Sequence, residues 1–173
     1  QQVGRDLRRN AVDADDSLLD GIAEQVAPDL LQLHGKETPA RVSEVRKRSG
    51  IPVMKALPVA EAADLDVVPA YAAVAEQLLF DARPPKDATR PGGHGATFDW
   101  TLLARVPRGK PIMLSGGLNP ENVAIAIRTV RPDAVDVSSG VEQSPGVKDA
   151  SKIAAFIANA RAASATLVTE AAS

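Results

Sequence analysis

Residues 111–130 read PIMLSGGLNPENVAIAIRTV, and this stretch decides the fold class. Its first five residues form a short apolar run typical of a buried strand, and Gly116 and Gly117 then turn the chain. Asn119 followed by Pro120 is a common start of a helix, because the side chain caps the first turn and proline needs no hydrogen bond there. The stretch therefore predicts a strand followed by a helix, the repeating unit of α/β proteins.

The same unit recurs along the chain. Five clear strands, each followed by a helical pattern, are predicted around Leu30, Val53, Leu78, Ile112 and Val135, with a possible stub strand at 10–12 before them. The strands are continuous apolar runs, which indicates a parallel sheet buried on both faces. An open doubly wound sheet and a (β/α)8 TIM barrel both fit. No G-x-G-x-x-G follows a strand, which weakens the dinucleotide-binding version of the first, and a full barrel needs eight units.

Composition excludes several classes of protein. In 173 residues, 20 Lys and Arg are balanced by 22 Asp and Glu, so no basic surface for nucleic acid is expected. The sequence has no cysteine, which excludes disulfides, thiolate metal sites and thiol catalysis within it. No apolar run reaches the ~18 residues of a membrane span, so no membrane partner is predicted. The absence of a signal pattern favours the cytoplasm.

Three regions are predicted along the chain. Residues 1–12 have the pattern of an irregular N-terminal arm, residues 13–163 that of a partial (β/α)8 barrel domain, and residues 164–173 that of a loose C-terminal tail. The last helix is expected at about 149–163.

Polar side chains collect where the predicted strands end, which is where barrels place their active sites. Asp81 follows an apolar strand directly, so its carboxyl group is partly desolvated there, which suits a general acid. An N-cap or an ion pair with Arg83 or Lys86 is the alternative. Lys55, at another strand end, could bind a phosphate or a carboxylate, or it could complete a buried ion pair.

Two turns rich in glycine and serine predict a phosphate site. They follow neighbouring strands and contain Ser115, Gly116 and Gly117 in one and Ser138, Ser139 and Gly140 in the other. Glycine lets backbone N–H groups approach a phosphate closely, and barrels build such sites after adjacent strands. Each turn alone is equally well explained as a tight turn, but the pair favours a phosphate-bearing ligand.

The two histidines do not predict a metal site. His34 follows a strand and His94 lies in a glycine-rich loop at 91–95, and neither has a second ligand at the spacing of metal sites. A hydrogen-bonded structural role is the simplest interpretation of His34. Residues 91–95 belong to a long loop at 82–97, whose length above ~12 residues favours a lid that closes over a ligand, although a plain flexible connection is the alternative.

Six motifs carry a resemblance to a known family. They are LQLHG at 31–35, KA at 55–56, FD at 80–81, GGHG at 92–95 with FDW at 98–100, LSGGLNPENV at 114–123, and DVSSGVE at 136–142. In this order, and each at a strand end, they resemble phosphoribosylanthranilate isomerases, over about residues 13–163.

The resemblance implies a (β/α)8 barrel that converts N-(5′-phosphoribosyl)anthranilate to 1-(2-carboxyphenylamino)-1-deoxyribulose 5-phosphate. This is an Amadori rearrangement in tryptophan biosynthesis, and it uses no cofactor. By resemblance, Asp81 is the general acid, which protonates the ribose ring oxygen and opens the ring to a Schiff base. The phosphate is implied to bind at Gly116, Gly117, Ser138, Ser139 and Gly140. The remaining substrate contacts are implied at Gln32, His34, Asp136, Gly93 and Gly95.

The family's first strand, which carries the general-base cysteine, and an arginine after its second strand have no match here. We therefore expect a barrel without its first two βα units. Loss of a general base typically lowers a rate by about 10²–10⁴, so impaired activity is expected. An open barrel edge also predicts self-association.

Two other functions fit the same residues. One is another phosphosugar barrel enzyme, of the ribulose-phosphate epimerase or thiamin-phosphate synthase type, which would share the phosphate turns. The other is a non-catalytic binder of a phosphate ligand, which would be stabilised by the ligand without turning it over.

Overall fold

The computed structural model describes residues 8–83 and 97–171. These residues form two compact units. The first comprises the chain up to Leu57 together with Asp66–Leu79 and Arg108–Pro111. The second comprises Pro58–Leu65, Phe80–Pro107 and the chain from Ile112 onward.

Strands and helices alternate through the described residues. In chain order they are β1 (Arg8–Ala11), α1 (Asp16–Gln25), β2 (Leu30–Leu33), α2 (Pro39–Ser49), β3 (Val53–Val59), α3 (Val68–Ala72), β4 (Gln77–Ala82), β5 (Ile112–Leu114), α4 (Val123–Val130), β6 (Ala134–Val135), β7 (Glu142–Ser144), β8 (Val147–Lys148) and α5 (Ala150–Ala171). Short 3₁₀ helices lie at Ala62–Val67, Trp100–Arg105 and Ser139–Val141. Each of β1 to β6 is thus followed by a helical segment, as the sequence predicts.

The first unit is built on a parallel sheet. Strand β2 pairs with β1 on one side and with β3 on the other, so that Leu33 lies opposite both Ala11 and Lys55. The sheet is buried because apolar side chains cover it, as expected for parallel strands. The buried apolar side chains of this unit include Leu19, Ile22, Leu31, Leu33, Val42, Val45, Val53, Met54, Leu57, Val68, Leu78 and Leu79.

Helix α2 begins and ends where the sequence predicts. The Thr38 side chain accepts a hydrogen bond from the Arg41 N–H at 3.3 Å, and Pro39 occupies the first turn. Gly50 ends the helix with a φ of +67°. That left-handed conformation favours glycine, which has no Cβ to clash.

Exposed ion pairs join α1 and α2. Arg48 donates two hydrogen bonds to Asp20, from Nε at 2.7 Å and from Nη2 at 2.6 Å. The hydrogen bond from Arg48 lowers the pKa of the Asp20 carboxyl group. Both side chains are 43% exposed. Solvent therefore screens the pair, and its contribution to stability is small.

The second unit continues the parallel arrangement. The Ser115 N–H donates to the Phe80 carbonyl at 2.8 Å, and the Asp136 N–H donates to the Leu114 carbonyl at 2.9 Å. The ends of β4, β5 and β6 therefore lie side by side. Helix α4 packs against α5. The buried side chains of this unit include Phe80, Leu103, Ile112, Met113, Leu114, Leu118, Val123, Ile127, Val130, Val141 and Phe156.

Several predicted boundaries are wrong. Helix α5 continues to Ala171, through residues predicted as a loose tail, because its alanine-rich sequence has high helix propensity. Strand β1 begins at Arg8, inside the predicted irregular arm. The hairpin of β7 and β8 was not predicted, since its strands are too short to show a period-2 pattern. The assignment of residues 13–163 to one barrel domain stays a prediction.

Two classes of feature are absent from the part of the chain that the structure describes. None of its helices combines the length and the apolar character needed to cross a bilayer. Within the same residues, no three His, Asp or Glu side chains cluster in a way that could hold a metal ion.

Candidate active site

Asp81 lies at the carboxyl end of β4, in the second unit. Phe80 before it is fully buried, and Asp81 itself is only 8% exposed. Burial of a charged group costs free energy unless the group is hydrogen-bonded or paired. A carboxyl group at this position therefore needs polar partners. The structure thus puts the predicted acid at a buried strand end.

The turn after β5 packs directly against Asp81. Gly116 and Gly117 both have a positive φ, of +86° and +64°. A Cβ atom at position 116 would lie 3.0 Å from Oδ1 of Asp81 and 2.8 Å from Cβ of Ala82, and it would overlap the Ala82 nitrogen. Glycine is therefore needed at 116 for its backbone conformation and for this close approach.

The turn after β6 packs against the turn after β5. A Cβ atom at Gly140 would overlap the carbonyl oxygen of Leu118, and it would lie 2.8 Å from the Leu118 carbonyl carbon and 3.1 Å from Cα of Asn119. The two turns that the sequence predicts as one phosphate site are thus in contact.

Asparagine side chains hold the first of these turns. Asn119 Oδ1 accepts a hydrogen bond from the Asn122 N–H, and Asn122 Oδ1 accepts one from the Asn119 N–H, both at 2.9 Å. The Asn122 amide also donates to the Gly117 carbonyl at 2.9 Å. Backbone N–H groups in a turn with positive φ values, such as the turn at Gly116 and Gly117, can donate to an anion.

Asp136 and Ser138 flank the second turn. Asp136 is exposed, and its Oδ2 accepts a hydrogen bond from the Ser115 hydroxyl at 3.3 Å. The carbonyl of Ser138 accepts a hydrogen bond from Nζ of Lys148 at 2.8 Å. Ser139 and Gly140 form the start of the 3₁₀ helix that follows. All the predicted phosphate-binding residues therefore belong to the unit that contains Asp81.

Gln32 and His34 lie in the first unit, at the end of β2. The Gln32 amide nitrogen lies 3.0 Å from Nδ1 of His34, and the His34 N–H donates to the Ala11 carbonyl at 2.8 Å. The contact between the two side chains lies within hydrogen-bond distance. This hydrogen bond fixes the orientation of the ring.

Lys55 forms a buried ion pair, one of the alternatives that the sequence left open. Its side chain is 2% exposed, and Nζ lies 2.9 Å from a carboxylate oxygen of Glu37. The same Nζ donates to the carbonyls of Gly35 at 2.7 Å and Leu33 at 3.2 Å. All three protons of the ammonium group are used, so Lys55 is not placed to bind phosphate.

Glu37 connects Lys55 to neighbouring segments. Its carboxylate accepts hydrogen bonds from the N–H groups of Asp13 at 2.9 Å and Gly35 at 3.0 Å. The Tyr71 hydroxyl donates to the Glu37 carbonyl at 3.0 Å, and burial raises the pKa of this phenol, with a smaller effect of the Glu37 charge. The cluster ties together the segments that follow β1 and β2.

Sequence reasoning missed some of these residues. Glu37 and Lys148 were not singled out, because a single charged residue in a loop has no periodic or motif signal. Asn122 was noted only as part of a motif. Gly93 and Gly95, predicted to contact the substrate, lie outside the described residues.

Replacing Gly140 by alanine is expected to lower the free energy of unfolding by about 1–3 kcal/mol, because the added methyl group overlaps the Leu118 carbonyl. Urea denaturation measures the change. Gly109→Ala is the matched control, since a Cβ there meets no atom within 4 Å. Equal stabilities of the two variants would contradict the contact between the two turns.

Comparison with known sequences identifies the family of this chain. Residues 10–159 match the profile of a family described as N-(5'phosphoribosyl)anthranilate (PRA) isomerase. A protein of Bradyrhizobium diazoefficiens named N-(5'-phosphoribosyl)anthranilate isomerase is 57% identical over 168 residues, covering 94% of this chain and 75% of that protein. A protein of the same name from Nitrobacter hamburgensis is 60% identical over 173 residues, covering 96% of this chain and 77% of that protein.

Solved structures lead to the same family. The phosphoribosyl anthranilate isomerase of Thermotoga maritima matches with a TM-score of 0.77 and 38% identity, over 90% of this chain and 72% of that one. A phosphoribosyl anthranilate isomerase in complex with reduced 1-(o-carboxyphenylamino)-1-deoxyribulose 5-phosphate matches with a TM-score of 0.74 and 35% identity, over 90% of this chain and 71% of that one.

Proposed function

The chain belongs to the N-(5'-phosphoribosyl)anthranilate isomerase family, and from this premise we propose which of its residues carry the reaction. It is an isomerase of tryptophan biosynthesis. Members of the family have (β/α)8 barrels, and β1 to β6 with their helices are units of that fold. The chain spans about three quarters of the length of the relatives compared above.

Asp81 is the general acid of the proposed mechanism. Its carboxylic acid proton passes to the ribose ring oxygen, and the bond between that oxygen and C1′ breaks. The nitrogen lone pair of the anthranilate forms the new C1′–N double bond, which gives a Schiff base. Loss of a proton from C2′ then gives the enolamine. Protonation at C1′ and loss of the 2′-hydroxyl proton, which replaces the proton that Asp81 gave, form the ketone, so that no atom is gained or lost overall. The position of Asp81 at the end of β4, directly beside the turn after β5, supports this role, because that turn also belongs to the proposed phosphate site.

The phosphate of the substrate binds to the two turns of the second unit in this proposal. Gly116 and Gly117 lie in one turn, and Ser138, Ser139 and Gly140 lie in the other. Their N–H groups are suited to a dianion because they are fixed donors that need no counter-charge. The contact between Gly140 and Leu118 supports one shared site rather than two separate turns.

Asp136 is a further substrate contact proposed in the second unit, and its exposure and its hydrogen bond to Ser115 support this role. A substrate contact at Gln32 and His34 stays a prediction from the sequence. The same role for Gly93 and Gly95 stays a prediction from the sequence.

A single observation carries the assignment of roles. The turn after β5 approaches Asp81 so closely that position 116 has room for glycine alone, and this turn also contacts Gly140. The residues proposed as the acid and as the phosphate site thus belong to three neighbouring strand ends, which supports their joint role. This arrangement also favours the enzyme over the non-catalytic binder predicted as an alternative.

The proposal is tested by mixing the purified chain with N-(5'-phosphoribosyl)anthranilate and following anthranilate fluorescence. We expect the fluorescence of the substrate to change over many turnovers of the chain. We also expect the reduced product analogue to raise the melting temperature, by the linkage between ligand binding and stability. The absence of both turnover and stabilisation would contradict the proposal. The similarities give no support to the predicted impairment, and this assay measures it directly.

The cytoplasm is the proposed location, in keeping with a biosynthetic role. Self-association is proposed as well, because a dimeric phosphoribosylanthranilate isomerase is known from Thermotoga maritima and α5 exposes Ile153, Ile157 and Val168. Light scattering after size-exclusion chromatography measures the mass in solution, and a monomer at all concentrations would contradict this second proposal.

A further inference from the structure

The hairpin of β7 and β8 contacts the second phosphate turn through one side chain. Nζ of Lys148 donates to the Ser138 carbonyl at 2.8 Å and lies 3.3 Å from the Ser138 hydroxyl. It also donates to a carboxylate oxygen of Glu142 at 2.7 Å. The three protons of this ammonium group are thus directed at fixed partners.

Glu142 is itself held by hydrogen bonds, so its carboxylate stays in contact with Nζ of Lys148. Its side chain is only 14% exposed. Its second carboxylate oxygen accepts a hydrogen bond from the Gly146 N–H at 3.1 Å. The Asp149 N–H donates to the Val141 carbonyl at 2.8 Å, which closes the hairpin onto the turn.

Lys148 and Val141 together hold the direction of one peptide group, because the Ser138 carbonyl accepts hydrogen bonds from Nζ of Lys148 at 2.8 Å and from the Val141 N–H at 3.4 Å. In a planar trans peptide the carbonyl oxygen and the N–H of the next residue point in opposite directions. No cis peptide bond is found in the described chain. Because the Ser138 carbonyl points to Lys148, the N–H of Ser139 points away from it. A side chain in the hairpin thus orients a backbone donor of the phosphate turn.

A similar contact between a side chain and a carbonyl is present in the other phosphate turn. The Asn122 amide donates to the Gly117 carbonyl at 2.9 Å, so the N–H of Leu118 points away from Asn122. In both turns a side chain from the following segment binds a carbonyl oxygen, so the next N–H group points away from that side chain. The same arrangement therefore occurs in both turns of the proposed phosphate site.

We propose that Lys148 is a positioning residue of the phosphate site, which orients the peptide between Ser138 and Ser139 so that its N–H faces the phosphate of the substrate. The proposal rests on the phosphate site of the proposed function. Lys148 does not touch the phosphate. It acts through the peptide group, and the Glu142 carboxylate balances its charge.

The test measures binding of inorganic phosphate to the full chain by calorimetry, so it does not depend on turnover. In Lys148→Met the donor is lost, and we expect the Kd for phosphate to rise about tenfold, the scale of one hydrogen bond to a charged group. Lys148→Arg keeps a donor and should restore most of the affinity. Lys152→Met is the matched control, because it removes the same charge from a neighbouring lysine that binds Glu142 and not Ser138. Its Kd should stay at the value of the unchanged chain.

Each other outcome has a distinct meaning. If the unchanged chain fails to bind phosphate, the proposed phosphate site is wrong and this inference falls with it. If the unchanged chain binds and Lys148→Met equals Lys152→Met, only the positioning role is wrong. If the Kd of Lys148→Met exceeds that of Lys152→Met at low salt but equals it at high salt, Lys148 contacts the phosphate directly through its charge. This result also overturns the inference. A loss of affinity that Lys148→Arg does not restore, with an equal loss of stability, would show a merely structural role.

Discussion

Replacing Asp81 by asparagine is expected to lower kcat by about 10²–10⁴ while the fold is retained, because asparagine has the same shape and no proton to give. The fluorescence assay measures the loss, and a melting curve checks the fold. KM should change much less than kcat, since the acid acts mainly in the transition state.

The matched control for this variant is Asp20→Asn. It makes the same chemical change at an exposed ion pair on α1, where solvent screening makes the contribution small. We expect its kcat to equal that of the unchanged chain. Normal turnover in Asp81→Asn would remove the acid from the mechanism and leave the phosphate site as the only supported part of the proposal.

Replacing Glu37 by glutamine is expected to lower the free energy of unfolding by about 3–5 kcal/mol, the typical cost of leaving one partner of a buried ion pair unpaired. Lys55 is 2% exposed, so water does not replace the lost carboxylate. Urea denaturation, followed by the fluorescence of Trp100 or by circular dichroism, measures the change.

Glu44→Gln is the control for the buried pair. Glu44 pairs with Arg41 at 2.9 Å, but its side chain is 57% exposed, and such pairs contribute at most about 1 kcal/mol. A similar small effect in both variants would mean that Glu37 and Lys55 are not coupled in the way their distance indicates.

Local features of the chain were predictable from the sequence. The limits of α2 follow from Thr38, Pro39 and Gly50, whose effects on the backbone act within one helical turn. The order of strands and helices follows from apolar runs that are short enough to be strands and are separated by capping residues. Helix α5 was predicted too short because alanine gives a weak periodic signal although it favours the helix.

The site was predictable only in part. Asp81 and the two glycine turns were identified because each directly follows an apolar strand. Their location at the strand ends can therefore be predicted from the residues adjacent to them in the sequence. The hairpin at 142–148 and its lysine were missed, because the contact between Lys148 and Ser138 spans ten residues and belongs to no repeated pattern.

The sequence by itself determined the order of βα units, the family motifs and the chemical types available at the strand ends, because each depends on residues that are adjacent along the chain. The tertiary structure alone decided what those residues do to one another. It assigned Lys55 to Glu37 rather than to phosphate, brought Gly140 against Leu118 and directed Lys148 to a carbonyl. Such contacts join segments that are distant in sequence, and only folding decides which donor meets which acceptor.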